Sequence, residues 1–154
     1  MTVSLRPVTR ENWLACAQLQ VHPEQQGFVA PNAFSIAESR FYPQAEIRAI
    51  YDDETLVGFV MWGEDVDSNP GELWVWRLMV DARYQGQGHA RATMGLLLEQ
   101  WAREGAPAVY LSYAPANDGA ARFYARLGFE QTGRVEGGEI VVRRDLAPIA
   151  PPQA

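Results

Sequence analysis

The chain has 154 residues, 47% of them hydrophobic and 21% charged, enough apolar material for one domain of ordinary size. That composition excludes a disordered segment. The net charge of −6 disfavours general binding to a polyphosphate backbone, and a single cysteine, Cys16, excludes an internal disulfide framework.

Two histidines and one cysteine are too few soft ligands for a zinc site, so no metal is expected. No apolar run reaches the ~18–20 residues of a membrane span. The opening MTVSLRPVTRENW has no signal-peptide core. The expectation is a soluble, cytoplasmic domain over residues 1–146, with no nucleic-acid or membrane partner. Residues 147–154 read as a loose proline-rich tail.

In chain order, residues 3–8 read as a strand. Thr9 is a plausible N-cap for a helix over 10–20, with Trp13, Leu14, Ala17 and Leu19 as its apolar positions. His22-Pro23 ends it, and 21–34 is loop-like. Ser35-Ile36-Ala37-Glu38 has the form of a capping box, which predicts a short helix over 35–41. Residues 47–51 and 55–62 flank Asp52-Asp53-Glu54 as a hairpin. An acidic loop follows over 64–71, then a strand over 72–80 and a turn over 81–88. Ala90, Met94, Leu97, Leu98 and Trp101 lie on one face of a helix over 88–104. Residues 108–113 form a strand, and Asn117 or Asp118 caps a helix to Leu127. Strands over 129–134 and 139–145 close the chain through Gly137-Gly138. The order βααβββαβαββ predicts an α+β (mixed α/β) domain with one central sheet.

The stretch from Leu78 to Arg91 is the most informative. A strand enters a glycine turn, and the turn opens the longest amphipathic helix. The first amides of a helix lack internal acceptors and point along its axis, so they favour an anion. Gly86 and Gly88 would let a diphosphate approach the backbone. The turn is not a Walker loop, because GK[ST] is absent. It is not the dinucleotide fingerprint, because the third glycine is missing. Ser112 with His22 or His89 has no triad-like spacing.

Gln85-Gly86-Gln87-Gly88-His89-Ala90 resembles the coenzyme A diphosphate loop of the GNAT acetyltransferase superfamily. Asn117-Asp118-Gly119-Ala120-Ala121-Arg122-Phe123-Tyr124, continued to Gly128-Phe129, resembles the later signature of the same family. The resemblance is strongest to the diamine or spermidine acetyltransferase branch. It implies a GNAT-like fold with a twisted, mostly antiparallel sheet and flanking helices. The implied activity is transfer of an acetyl group from acetyl-CoA to a primary amine of a small molecule, with a polyamine among the candidates. A homodimer is also implied.

The cofactor residues implied are Leu78, Met79, Val80, Gln85, Gly86, Gln87, Gly88, His89, Ala90, Arg91, Asn117 and Tyr124. Of these, Met79 and Val80 would pair with the pantetheine arm, and an amide near Leu78 would face the thioester carbonyl. His89 counts for its amide and not its imidazole. Tyr124 would be the acid for the departing thiolate. Family members place a carboxylate base on the central strand, where this chain has Trp74 and Trp76. Glu72, on the same face by strand alternation, is the candidate base. Trp62, Trp74 and Trp76 form an aromatic group, and Trp74, Trp76 and Phe28 are the candidates to hold the amine by cation–π contact. Glu64, Asp65 and Asp67 would add negative potential at the mouth. Acceptors of other kinds stay open: a protein or peptide amine, an amino acid, or an aminoglycoside. So does a non-catalytic acyl-CoA-binding module.

Overall fold

The computed structural model describes residues 1–147. All of the predicted tail except Ala147 lies outside the described residues. The elements run β1 (Val3–Pro7), α1 (Trp13–Ala17), α2 (Asn32–Ser39), β2 (Glu46–Asp52), β3 (Thr55–Asp65), β4 (Asn69–Val80), α3 (His89–Arg103), β5 (Ala108–Tyr113), α4 (Asp118–Arg126), β6 (Glu130–Glu136) and β7 (Glu139–Asp145). This is the predicted order.

One seven-stranded sheet carries them, in the order β1-β2-β3-β4-β5-β7-β6. All neighbours are antiparallel except β4 and β5, which are parallel. Each face of the sheet buries its own cluster. On one face α3 contributes Met94, Leu97 and Trp101, with Phe123 and Tyr124 of α4 and Leu127 just after it beside them. On the other, Cys16 and Leu19 of the α1 region meet Ala49, Phe59, Met61 and Met79. Fully burying one such side chain contributes about 1.5–3 kcal/mol.

Three local expectations are corrected. The first helix is one short turn, with Asn12 and not Thr9 at its N-cap. Its predicted apolar face is right at Leu19, which is buried, and wrong at its first two positions. Trp13 and Leu14 are 47% and 54% exposed, while Cys16 is fully buried. The second helix begins at Asn32, after Pro31. Ser35 is therefore a buried mid-helix residue and not a cap. The acidic stretch 64–71 is mostly strand: β3 runs to Asp65 and β4 starts at Asn69, so only 66–68 turn.

Two irregularities shape the centre. Only Leu73–Val109 and Trp74–Tyr110 join β4 to β5. From Val75 to Val80, β4 has no partner on that side, and the sheet opens. On its other edge β4 carries a bulge: Met61 faces Arg77 and Trp62 faces Val75, so Trp76 is the extra residue.

Candidate functional site

The opening between β4 and β5 is part of one cleft of about 1490 Å³. Its wall takes residues from both faces of the sheet. Phe123 and Tyr124 of α4 line it from one side, and Glu38 of α2 and nearby Tyr42 from the other. Most of the predicted residues meet here. Leu78, Met79, Val80, Gln85, Gly86, Gly88, His89, Ala90, Arg91, Asn117 and Tyr124 all line the cleft, as do Trp74, Trp76 and Phe28. Gln87 and Glu72 do not line it.

The turn before α3 is built as an open backbone. Gly86 has φ 76°, and Gly88, the N-cap of α3, has φ 88°. No atom lies within 4 Å of where a Cβ on Gly86 would sit, and at Gly88 only the Met1 methyl does, at 3.7 Å. A ligand can therefore approach these amides directly, and the α3 N-terminus supplies the positive end of a fifteen-residue helix. The donor set and the open cradle fit the diphosphate of acetyl-CoA.

The turn is held by the side chain of Gln85 and by Gln25 and Asp81, two residues that the sequence did not single out. Gln85 Nε2 donates to the Val80 carbonyl and to Gln25 Oε1, both at 2.9 Å. Buried Asp81 accepts from the Gln20 amide at 2.9 Å and from Arg83 Nε at 2.8 Å. Arg83 is thus neutralised beside the turn. The imidazole of His89 also has work to do, contrary to expectation. It is buried, with Nδ1 3.0 Å from the Tyr84 carbonyl and Nε2 2.9 Å from Asp52 Oδ2. That hydrogen bond holds the Asp52 carboxyl below its usual range. The ring ties the start of α3 to the end of β2.

Across the opening, Asn117 Oδ1 accepts from the Ala120 amide at 3.1 Å and caps α4. Tyr124 lies edge-on between Phe123 and Phe129, with centroids 4.9 Å and 5.4 Å away. Burial pushes its phenol well above the usual tyrosine range, so the proton stays on.

Glu72 is corrected. Strand alternation placed it rightly beside Trp74, whose Nε1 donates to Glu72 Oε1 at 3.1 Å. Both carboxylate oxygens, however, are occupied by Arg134, at 3.0 Å and 3.1 Å. Burial pushes Glu72 up, but Arg134 and Trp74 outweigh it, and the carboxyl sits below the usual range. It is a poor proton acceptor and pins β4 to β6. Glu72→Gln is expected to keep kcat within about threefold and to lower Tm by about 2–8 °C through a weakened charged hydrogen-bond pair. Thermal melts and steady-state rates check this. Because folding lowers the proton affinity of Glu72, its contribution is present at neutral pH and lost as pH falls below the ordinary glutamate range. The acid limb of the stability profile should therefore flatten in the variant.

The tryptophans divide. Trp62 is a core residue, edge-on to Trp101 at 5.9 Å, and does not join the cleft. Trp74 stacks on Tyr110 at 5.7 Å. Trp76 packs against Tyr42 at 5.5 Å and donates from Nε1 to the Gly63 carbonyl. The sequence reading missed Arg77 and Glu38, which pair at 3.4 Å on the cleft wall, and Ser112 and Glu139, which bond at 2.8 Å. Among the described residues, no helix is long and apolar enough to cross a membrane.

The model of the acetyltransferase (GNAT) family matches residues 7–129. The chain is 28% identical over 152 residues to a spermine/spermidine N(1)-acetyltransferase of Bacillus subtilis (strain 168), covering 95% of this chain and all of the relative. It is 32% identical over 155 residues to the N-alpha-acetyltransferase RimI of Mycobacterium tuberculosis, covering 93% and 92%. Its fold matches that of the PaiA N-acetyltransferase of Thermoplasma acidophilum in complex with coenzyme A, with a TM-score of 0.70 at 14% identity over 94% and 99% of the two chains. The chain belongs to the acetyltransferase (GNAT) family, and is an N-acetyltransferase that uses acetyl-CoA and acts on amines.

Proposed function

We propose that this enzyme acetylates a primary amine of a small cationic molecule, a polyamine of the spermidine class, in a ternary complex. The observation that carries the reading is the charge of the cleft wall away from α3 and α4. Glu38, Asp65, Asp67 and Glu139 line it, against one cation, Arg77, already paired with Glu38. Clefts lined by one sign of charge concentrate ligands of the other sign. Trp74, Trp76, Phe28 and Tyr42 add aromatic surface to the same end, suited to methylene chains and ammonium groups. The relative named a spermine/spermidine acetyltransferase supports the same acceptor class.

Acetyl-CoA supplies an acetyl group on a thiol whose free pKa is about 8.5. In this reading the amides from Gln85 to Arg91 hold its diphosphate, and the unpaired edge of β4 at Met79 and Val80 holds its arm. An amide near Leu78 meets the thioester oxygen. Tyr124 gives its proton to sulfur. Holding both reactants in line supplies much of the rate. Initial velocities should give intersecting, sequential patterns. Parallel lines or a burst of acetylated enzyme would exclude direct transfer.

A panel of spermidine, lysine, an alanine-headed peptide and kanamycin, assayed by thiol release, tests the acceptor. Spermidine should exceed lysine by about tenfold or more in kcat/KM. Lysine or the peptide reacting as fast as spermidine would overturn the polyamine reading.

A further inference from the structure

An alkylammonium has a pKa of about 10.4, so a proton must leave before its nitrogen can attack at neutral pH. Glu72 is tied to Arg134 and stands outside the cleft wall. A different carboxylate is better placed.

Ser112 of β5 and Glu139 of β7 lie on the face of the sheet that α1 and α2 occupy. The neighbours Leu111 and Tyr113 point the other way, into the cluster under α3 and α4. Ser112 pairs with Val141, so Val141 shares its face, and Glu139 lies two residues before Val141 on the same strand. The strand position agrees. Trp74–Tyr110 is the last pair that joins β4 to β5, and Ser112 lies two residues further along β5, beside the stretch where β4 bulges at Trp76 and the sheet opens. Tyr124 lines the same cleft from the opposite face. An acyl group held in the opening would thus have a phenol on one side and Glu139 on the other.

The other carboxylates on this wall are engaged or remote. Glu38 pairs with Arg77. Asp65 accepts from the Ser68 amide and from Asn69 within its own hairpin. Asp67 is exposed at the hairpin tip. Glu139 is half-buried, and the Ser112 hydroxyl donates to its Oε1 at 2.8 Å. That bond orients the carboxylate without neutralising it.

We propose that Glu139 is the base that takes the first proton from the acceptor ammonium, with Ser112 as its positioning residue. The inference rests on the amine acetyltransferase reading given above. The ammonium carries three protons and the amide keeps one. One passes to Glu139 and on to solvent. The nitrogen lone pair then forms the N–C bond, the C–S bond breaks, and the remaining proton ends on sulfur with Tyr124 as relay.

The test uses the full chain and the panel amine that the wild type turns over fastest. Glu139→Gln should melt near the wild type and bind CoA within about twofold by calorimetry. Its kcat at pH 7 should fall about 100-fold. The deficit should narrow towards pH 10, where the free amine is abundant. Calorimetric affinity of the CoA-loaded protein for the amine should fall about tenfold, since the variant loses a charged contact. Glu139→Asp should recover part of kcat, and Ser112→Ala should lose less than Glu139→Gln. The other titratable groups on the cleft wall are Glu38, Asp65, Asp67, Tyr42, Tyr84, His89, Tyr113 and Tyr124, with Arg77 as the cation of the acceptor end and Arg91 and Arg126 on α3 and α4; they are unchanged between the variants. A kcat within threefold of wild type, a deficit equal at pH 7 and pH 10, or a change in KM alone would overturn the assignment of Glu139. A wild type that acetylates no amine in the panel would instead overturn the proposed function.

Discussion

Tyr124→Phe is expected to lower kcat by about 100-fold while leaving CoA affinity within about twofold. The ring is fixed by Phe123 and Phe129, both edge-on to it, so phenylalanine keeps the packing and loses only the hydroxyl. Burial keeps the phenol protonated well beyond the ordinary tyrosine range, so it remains a donor at neutral and mildly alkaline pH. A positioned proton donor contributes about 10²–10⁴ in rate. The lower end applies here, because a thiolate is already a fair leaving group. For the same reason no alkaline fall in rate should come from this residue below about pH 10. Calorimetry with CoA separates chemistry from binding. A kcat within threefold of wild type would remove Tyr124 from the reaction and leave it an aromatic prop of α4.

The parts of the fold written in long regular runs were readable. α3 holds five apolar residues at helical spacing, and Met94, Leu97 and Trp101 are buried as expected. The turn before it was readable too, because glycines at 86 and 88 have one natural use where a helix starts and the backbone must stay open. α1 was not readable, since a five-residue helix holds too little periodicity to show which side faces in. Composition misled at 64–71. The acidic and proline residues there report exposure around the turn between β3 and β4, and exposure is not the same as loop.

The site was legible where it lay in one segment and obscure where it was assembled from several. Alternation put Glu72 beside Trp74 correctly. It could not show that Arg134, 62 residues later, would claim both oxygens. Nor could alternation be carried past Trp76, because a bulge adds a residue and turns the following side chains. Glu139 was invisible for the same reason as Arg134: its meaning depends on β7 lying between β5 and β6, an order that no local pattern encodes. The one available signal was parity along β5, which puts Ser112 on the face of Tyr110 and away from the apolar Leu111 and Tyr113.

Gly58→Ala is expected to cost about 2–3 kcal/mol of stability and to lower Tm by about 4–10 °C. A Cβ at Gly58 would sit 2.4 Å from the Met79 carbonyl oxygen and 3.3 Å from Val80 Cα. Both are backbone atoms of β4, so no side chain can swing away to make room. β2 cannot yield freely on the other edge, where Ile50 pairs with Gly58 and its Cδ1 would lie 3.2 Å away. Relief has to come from pushing β3 and β4 apart at Met79 and Val80, the edge that lines the cleft. The KM for acetyl-CoA should therefore rise several-fold together with the loss of stability. Gly95→Ala is the control. It lies in the interior of α3 with nothing within 4 Å of its Cβ position, so alanine should stabilise the helix by about 0.5–1 kcal/mol and leave KM alone. Equal melting temperatures for the two variants would mean that the contact between β3 and β4 is looser than the structure places it, and that the opening beside β4 does not depend on it.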